Sequence, residues 1–206
     1  MRFYSLLRRL KKEEQGVAAT EFALILPLLT LILFGSIEVS NLLVADARIR
    51  AATSSVSDML TQITVTTMTQ SDLNDANTAV TEIMKPLPVV AGAVDLLGMR
   101  VTNFYVDVAA GGVVKVRWSR LLPNIANTSV NEVTLSNPLC SNNGPLPTGL
   151  SSTSNDVMRT TGVYAWRPWF TTVFRTSPIY LRAEYFNMPR YVTRIDMAAA
   201  AGGNCV

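Results

Sequence analysis

The sequence predicts an α+β fold, in which a long N-terminal transmembrane helix packs on an extracytoplasmic head with a small antiparallel sheet. Three observations lead to this prediction. An apolar run over residues 17–37 continues into a stripe of apolar residues at helical spacing. Gly111-Gly112 separates two segments rich in β-branched and aromatic residues, which favours a hairpin. Residues Ile179–Phe186 alternate between two sets of side chains, as a strand does.

The apolar run is long enough to cross a membrane. Between Phe22 and Ile37 the only polar side chains are Thr30 and Ser36. Counted from Val17, the run has about 20 residues, which at 1.5 Å per residue span a hydrocarbon core of roughly 30 Å. Glu21 interrupts it, and an ionised carboxylate at such depth costs about 2.5–3.5 kcal/mol, so we expect a partner for it.

Charge is concentrated before this run. Residues 1–16 hold five of the 18 basic residues and two of the 15 acidic ones, which leaves 13 of each sign in the remainder. The basic leader places the N-terminus in the cytoplasm and the head outside the inner membrane. Because the remainder is neutral, nucleic-acid binding is not expected. The predicted organisation is a leader over 1–16, a transmembrane helix over 17–37 and a head over 38–206.

The first helix should extend well beyond the membrane span. We expect it to run from about Ala18 to Ile63, with Pro27 bending it near Ala23. Its second half carries a stripe that we interpret as the buried face of a helix in the head, with an intermolecular coiled coil as the alternative. The stripe comprises Leu42, Ala45, Ile49, Ala52, Val56, Met59 and Ile63.

The remaining elements follow from turn residues and periodicity. Ser71 or Asp72 caps a second helix with Leu73, Ala76, Val80, Ile83 and Leu87 on one face, which ends at Pro86 and Pro88. Predicted strands cover Met99–Val108, Val113–Ser119, Val157–Trp166 and Ile179–Phe186. Leu121–Leu135 stays ambiguous, Asn137–Asn155 is loop, and Trp169–Thr176 is a short helix or a bent excursion.

The start of the apolar run resembles a known processing site. A basic leader ends in Gly16, Glu21 is the fifth residue after it, and the aromatic Phe22 follows. This arrangement resembles the type IV prepilin site, and its continuation to Asn41 resembles the TadE family of minor pilins, or pseudopilins, of the Tad/Flp type IVb pilus. The resemblance implies cleavage by a prepilin peptidase between Gly16 and Val17. It also implies that Glu21 pairs with the α-amine freed at Val17, or with that of a neighbouring subunit.

The resemblance further implies a location and a set of partners. The chain would be a single-pass protein of the bacterial inner membrane with a periplasmic head, which reaches the pilus or cell surface after assembly. Its partners would be the prepilin peptidase, other Tad pilins and minor pilins bound through the N-terminal helix, the inner-membrane assembly platform and the lipid bilayer. Its role would be structural, in pilus biogenesis and surface adhesion.

The two cysteines suggest one disulfide. Cys140 and Cys205 both fall in regions rich in Gly and Asn, and an extracytoplasmic location permits oxidation. Two free thiols are the alternative.

Catalytic groupings are missing from the sequence. The chain has no His, its acidic residues are scattered, and no phosphate-binding glycine loop occurs. We therefore expect no enzyme and no cofactor or metal site. Trp166, Trp169, Phe170 and Phe174 lie near Arg167 and Arg175, and they are either core or a ligand-binding patch. With that patch, an uncleaved membrane-anchored periplasmic binding module is the alternative function.

Overall fold

The structure, a computed structural model, describes residues 15–91, 94–107, 110–122, 140, 150, 155–168, 177–198 and 205, of which 15, 16 and 94 by their backbone alone. Helix α1 covers Gln15–Thr61 and helix α2 covers Gln70–Met84. The strands are β1 Thr67–Met68, β2 Val90–Ala91, β3 Val94–Asp95, β4 Leu97–Asp107, β5 Val113–Leu121, β6 Val157–Trp166, β7 Ile179–Asn187 and β8 Asp196–Met197. These elements confirm the predicted α+β class.

Helix α1 is one uninterrupted helix of 47 residues. It begins three residues before the predicted start and continues through Pro27. It ends at Thr61, two residues before the predicted end, where the amide of Arg190 donates to the Thr61 carbonyl at 3.0 Å. A partner from a distant segment thus satisfies one of the carbonyl groups that every helix leaves open at its C-terminus.

The stripe on the second half of α1 is the centre of the core. Ala45, Ile49, Ala52 and Val56 are fully buried, as predicted. The next step was wrong: Met59 is 42% exposed, whereas Leu60 is 2% exposed. The predicted stripe alternated steps of three and four residues, which average 3.5 residues. Because a helix has 3.6 residues per turn, such a stripe drifts around the helix, and after Val56 the next buried residue is four positions on.

Helix α2 begins with a capping box, and the predicted N-cap was wrong. Its N-cap is Thr69, not Ser71 or Asp72. The Asp72 carboxylate accepts from the Thr69 amide at 2.7 Å, and the Thr69 hydroxyl oxygen accepts from the Asp72 amide at 3.4 Å. At the other end, Arg48 of α1 donates to the carbonyls of Ile83, at 2.9 Å, and Lys85. Leu87 is partly buried but lies beyond the helix end.

Strands β4 to β7 form one antiparallel sheet in the order β5-β4-β6-β7. Gly111 and Gly112 make the predicted turn between β4 and β5 with φ of 76° and 82°, a region that favours glycine. Strand β4 begins two residues earlier than predicted, β5 ends two residues later, and β7 one residue later. Two small pairs flank the sheet: β1 with β8, parallel, and β2 with β3, antiparallel.

Helix α1 packs directly across β6 at Gly162. A Cβ at this position would lie 2.3 Å from Thr53 Oγ1 and 3.1 Å from Ile49 Cδ1, so only glycine allows this approach. The predicted packing of the sheet on the helix is therefore confirmed. The leader, the Asn137–Asn155 loop apart from residues 140, 150 and 155, the ambiguous segment after Leu122, and Trp169–Thr176 lie outside the described residues.

Candidate functional site

Residues 17–37 of α1 are exposed or only partly covered in the described part of the protein, and we call them the bare segment. Its large apolar side chains are exposed on most sides of the helix, and Leu24 reaches 80% exposure. A helix that is apolar all round needs lipid or other helices around it. By length and composition it could cross a membrane.

Most polar groups of the bare segment are satisfied within the helix. Thr20 donates to the Val17 carbonyl at 2.8 Å, Thr30 to Leu26 at 2.7 Å and Ser36 to Leu33 at 2.8 Å. Such internal bonds suit a helix in an apolar environment, where a free hydroxyl would be costly. Glu21 is the exception, because its side chain is exposed and makes no hydrogen bond or ion pair with the described residues.

Gly16, Val17, Glu21 and Phe22 all lie in the first two turns of α1. Val17 and Glu21 are four residues apart, so they lie on the same face of the helix, one turn from each other. Phe22 is exposed beside Glu21. A carboxylate thus stands one turn from the nitrogen that would become an α-amine if the chain were cut after Gly16.

A disulfide in the head joins Cys140 and Cys205, whose Cα atoms are 5.3 Å apart. Both cysteines also hold the same strand, β5. The Cys140 amide donates to the Val116 carbonyl at 3.0 Å, and the Cys205 amide donates to the Arg117 carbonyl at 2.9 Å.

Next to this disulfide lies a buried ion pair that the sequence analysis missed. Arg117 donates to both carboxylate oxygens of Asp156, at 2.9 and 3.0 Å. Asp156 also accepts from the Asn103 amide group at 2.8 Å and from the Ile195 backbone amide at 3.0 Å. The spacing of these four residues in the sequence did not predict the ion pair, because they come from four separate segments. Its bonds hold the C-terminal segment on the sheet.

A groove of about 400 Å³ lies where the bare segment meets the head, between α1 and the end of β6. Glu38, Arg48, Tyr164, Trp166 and Arg167 contribute to its lining. The Tyr164 hydroxyl donates to the Pro88 carbonyl at 3.0 Å, and burial raises the pKa of this phenol above its ordinary value.

The predicted aromatic and arginine patch is divided by this arrangement. Trp166 is only 8% exposed and belongs to the core, whereas Arg167 is exposed. Trp169, Phe170, Phe174 and Arg175 lie outside the described residues. Among the residues that the structure describes, no group of three or more His, Cys, Asp or Glu could hold a metal ion.

The comparison with protein families bears on the bare segment. The family model described as TadE-like protein matches residues 16–57. This segment is TadE-like. No curated protein and no solved structure matches the chain. The TadE-like segment begins at Gly16, contains the whole bare segment and ends on the part of α1 that packs on the sheet.

The TadE-like segment supports a pilin-type role associated with a Tad pilus. Such a role is structural rather than enzymatic and involves other pilus components. It agrees with a helix whose apolar surface is left exposed by the described residues.

Proposed function

We propose that this protein is a minor pilin of a Tad-type pilus, cut by a prepilin peptidase after Gly16 and assembled through its N-terminal helix. The observation that carries the proposal is the bare segment. Its sequence is TadE-like, its exposed surface is apolar on most sides, and it has one carboxylate near its start. The assembled protein supports pilus biogenesis and surface adhesion.

The bare segment suits two environments in turn. In the inner membrane its side chains contact lipid, with the N-terminus cytoplasmic and the head periplasmic. In a fibre the same side chains contact the helices of neighbouring pilins. Because both environments are apolar, moving from one to the other changes little in the burial of apolar surface. The assembly platform of the inner membrane supplies the site of this transfer.

Glu21 is the group that gains a specific partner by cleavage. The new α-amine at Val17, or that of a neighbour, is the cation that offsets the cost of burying the carboxylate. Without the cut, residue 17 has no α-amine, because its nitrogen is part of the peptide bond to Gly16. Cleavage after Gly16 and the position of this helix relative to its neighbours in the pilus therefore both involve this single ion pair.

N-terminal sequencing of protein from membrane and pilus fractions tests the cut. We expect Val17 as the first residue. Gly16→Arg should leave the full-length form. Gly35→Ala is the control on the same helix, since an alanine Cβ at residue 35 would have nothing within 4 Å. Met1 at the N-terminus of protein from pili would refute processing.

Glu21→Ala tests the role of the carboxylate in assembly. We expect the variant to insert into the membrane and to be cut, but to be lost from pili. Ser36→Ala is the matched control, because it removes a polar group of the bare segment whose hydroxyl is already bonded within the helix. Normal amounts of the Glu21→Ala protein in pili would count against the ion pair.

The groove beside Trp166 favours one other candidate, an uncleaved membrane-anchored periplasmic binding module. In that case Met1 is retained in every fraction, and the groove binds a ligand. The same sequencing experiment separates the two functions.

A further inference from the structure

A second cavity, of about 350 Å³, lies away from the bare segment, between α2 and the residues around β2, β3 and the start of β4. Its polar lining consists of Asn77, Thr78 and Thr81 from α2 and Asp95 from β3. Neither the TadE-like segment nor the proposed function uses these residues.

The two threonines offer only acceptors to a ligand. Thr78 donates its hydroxyl proton to the Asn74 carbonyl at 3.0 Å, and Thr81 donates to the Thr78 carbonyl at 2.8 Å. A hydroxyl has one proton and two lone pairs. Once the proton is used inside the helix, the oxygen can only accept.

Asn77 is the second indication of a ligand. It is 7% exposed, and its Oδ1 is buried with no hydrogen-bond partner among the described residues. Buried polar groups in folded proteins are almost always paired, so a buried acceptor without a partner, on a residue that lines a cavity, calls for a donor. A ligand that donates hydrogen bonds would supply it after a small rotation of the amide.

The charge of the lining selects the kind of donor. Asp95 contributes one carboxylate, and the described lining residues include no cation. Val89 and Leu97 provide an apolar wall beside the acceptors. The combination matches an ammonium or guanidinium group on an aliphatic stem, whose carbons lie against the wall while its N–H groups reach the oxygens.

We propose that this cavity binds an alkylammonium or alkylguanidinium group, as found in the side chain of lysine or arginine or in a free alkylamine. The site does not depend on cleavage at Gly16. It would let the head hold a basic side chain of another protein while α1 is engaged elsewhere.

The test uses the full chain in detergent micelles with isotope-labelled threonine and valine methyl groups, observed by NMR. Titration with n-butylammonium should shift the methyl signals of Thr78, Thr81 and Val89, and the neutral isostere butan-1-ol should not. A peptide with one lysine and the same peptide with acetyl-lysine distinguish a protein side chain from a free amine as the source. Equal shifts with butan-1-ol, or shifts with Mg²⁺ alone, would overturn the proposal.

Variants test the roles of the two polar groups. Asp95→Asn should weaken n-butylammonium binding by about tenfold, because a charge-assisted bond is replaced by a neutral one. Asn77→Asp should strengthen binding, because it adds a carboxylate. Asp75→Asn, an exposed change on α2 outside the cavity, is the control and should bind as the unaltered chain does. Unchanged affinity in Asp95→Asn would refute the site even if Asn77→Asp failed to fold.

Discussion

The two halves of helix α1 have the same backbone but opposite surroundings. The bare segment exposes apolar residues on most sides, whereas the half from Ala45 to Thr61 buries one face against the sheet and α2. The difference lies in the sequence pattern. The second half alternates buried small or branched residues with polar ones, so one face has a partner within the chain. The first half has no such alternation, and the described residues leave most of its apolar surface without a partner.

The comparison predicts that equal truncations have unequal effects. Ile49→Ala in the covered half should destabilise the head by about 2–5 kcal/mol, because it leaves a cavity among fully buried side chains. Ile32→Ala in the bare segment should leave head stability unchanged, because Ile32 is exposed. Denaturant unfolding in detergent, followed by tryptophan fluorescence, measures both. Equal losses would show that the two halves are not independent.

Replacing a glycine by alanine tests the same comparison by adding an atom instead of removing atoms. Gly162→Ala should cost about 1–3 kcal/mol, because the new Cβ meets Thr53 and Ile49 of the covered half. Gly35→Ala should be neutral or stabilising by up to about 1 kcal/mol, because it meets nothing and alanine favours a helix. Thermal unfolding of the two variants gives the contrast. A neutral Gly162→Ala would mean that the helix does not press on β6 as described.

The boundary between the halves can be probed by pH through Tyr164, which lines the groove there. Burial raises the pKa of the folded phenol above its ordinary value of 10.0, while the unfolded phenol ionises near that value. The contribution of Tyr164 to the free energy of unfolding is therefore complete below about pH 10 and is lost as the pH rises through the folded pKa.

Tyr164→Phe removes this dependence and costs about 1 kcal/mol at neutral pH, through the lost bond to Pro88. Unfolding midpoints of the variant and the unaltered chain, compared across the alkaline range, measure the effect. An identical alkaline decline in both proteins would assign the decline to other groups.

The smallest effect is expected on the exposed side of the covered half. Asp46 holds Arg50 at 2.8 Å, and this hydrogen bond raises the pKa of the guanidinium. Because the pair is open to solvent, Arg50→Ala should leave the unfolding midpoint unchanged. A clear loss of stability would show that this side of α1 is also covered, for instance by another subunit.

Much of the fold could be predicted because it rests on local patterns. The stripe of α1, the glycine turn and the alternation in β7 are each set by residues close in sequence. The wrong predictions concern positions where a distant partner or a reciprocal pair of contacts determines which residue is buried or caps the helix. Thr69 rather than Ser71 caps α2, because its side chain and that of Asp72 satisfy each other's backbone amides. Leu60 rather than Met59 is buried, because the hydrophobic core of the head lies on the Leu60 side of the last turn.

The sequence by itself determined the apolar character of residues 17–37, the motif from Gly16 to Phe22 and the presence of strands after residue 97, because these depend on residue type and spacing alone. Only the tertiary structure decided the buried pair of Arg117 and Asp156, the need for glycine at residue 162 and the cavity at Asn77. Each of these joins residues from segments far apart in the chain. Their energies arise from exclusion of water and close contact, which exist only after the segments have packed together.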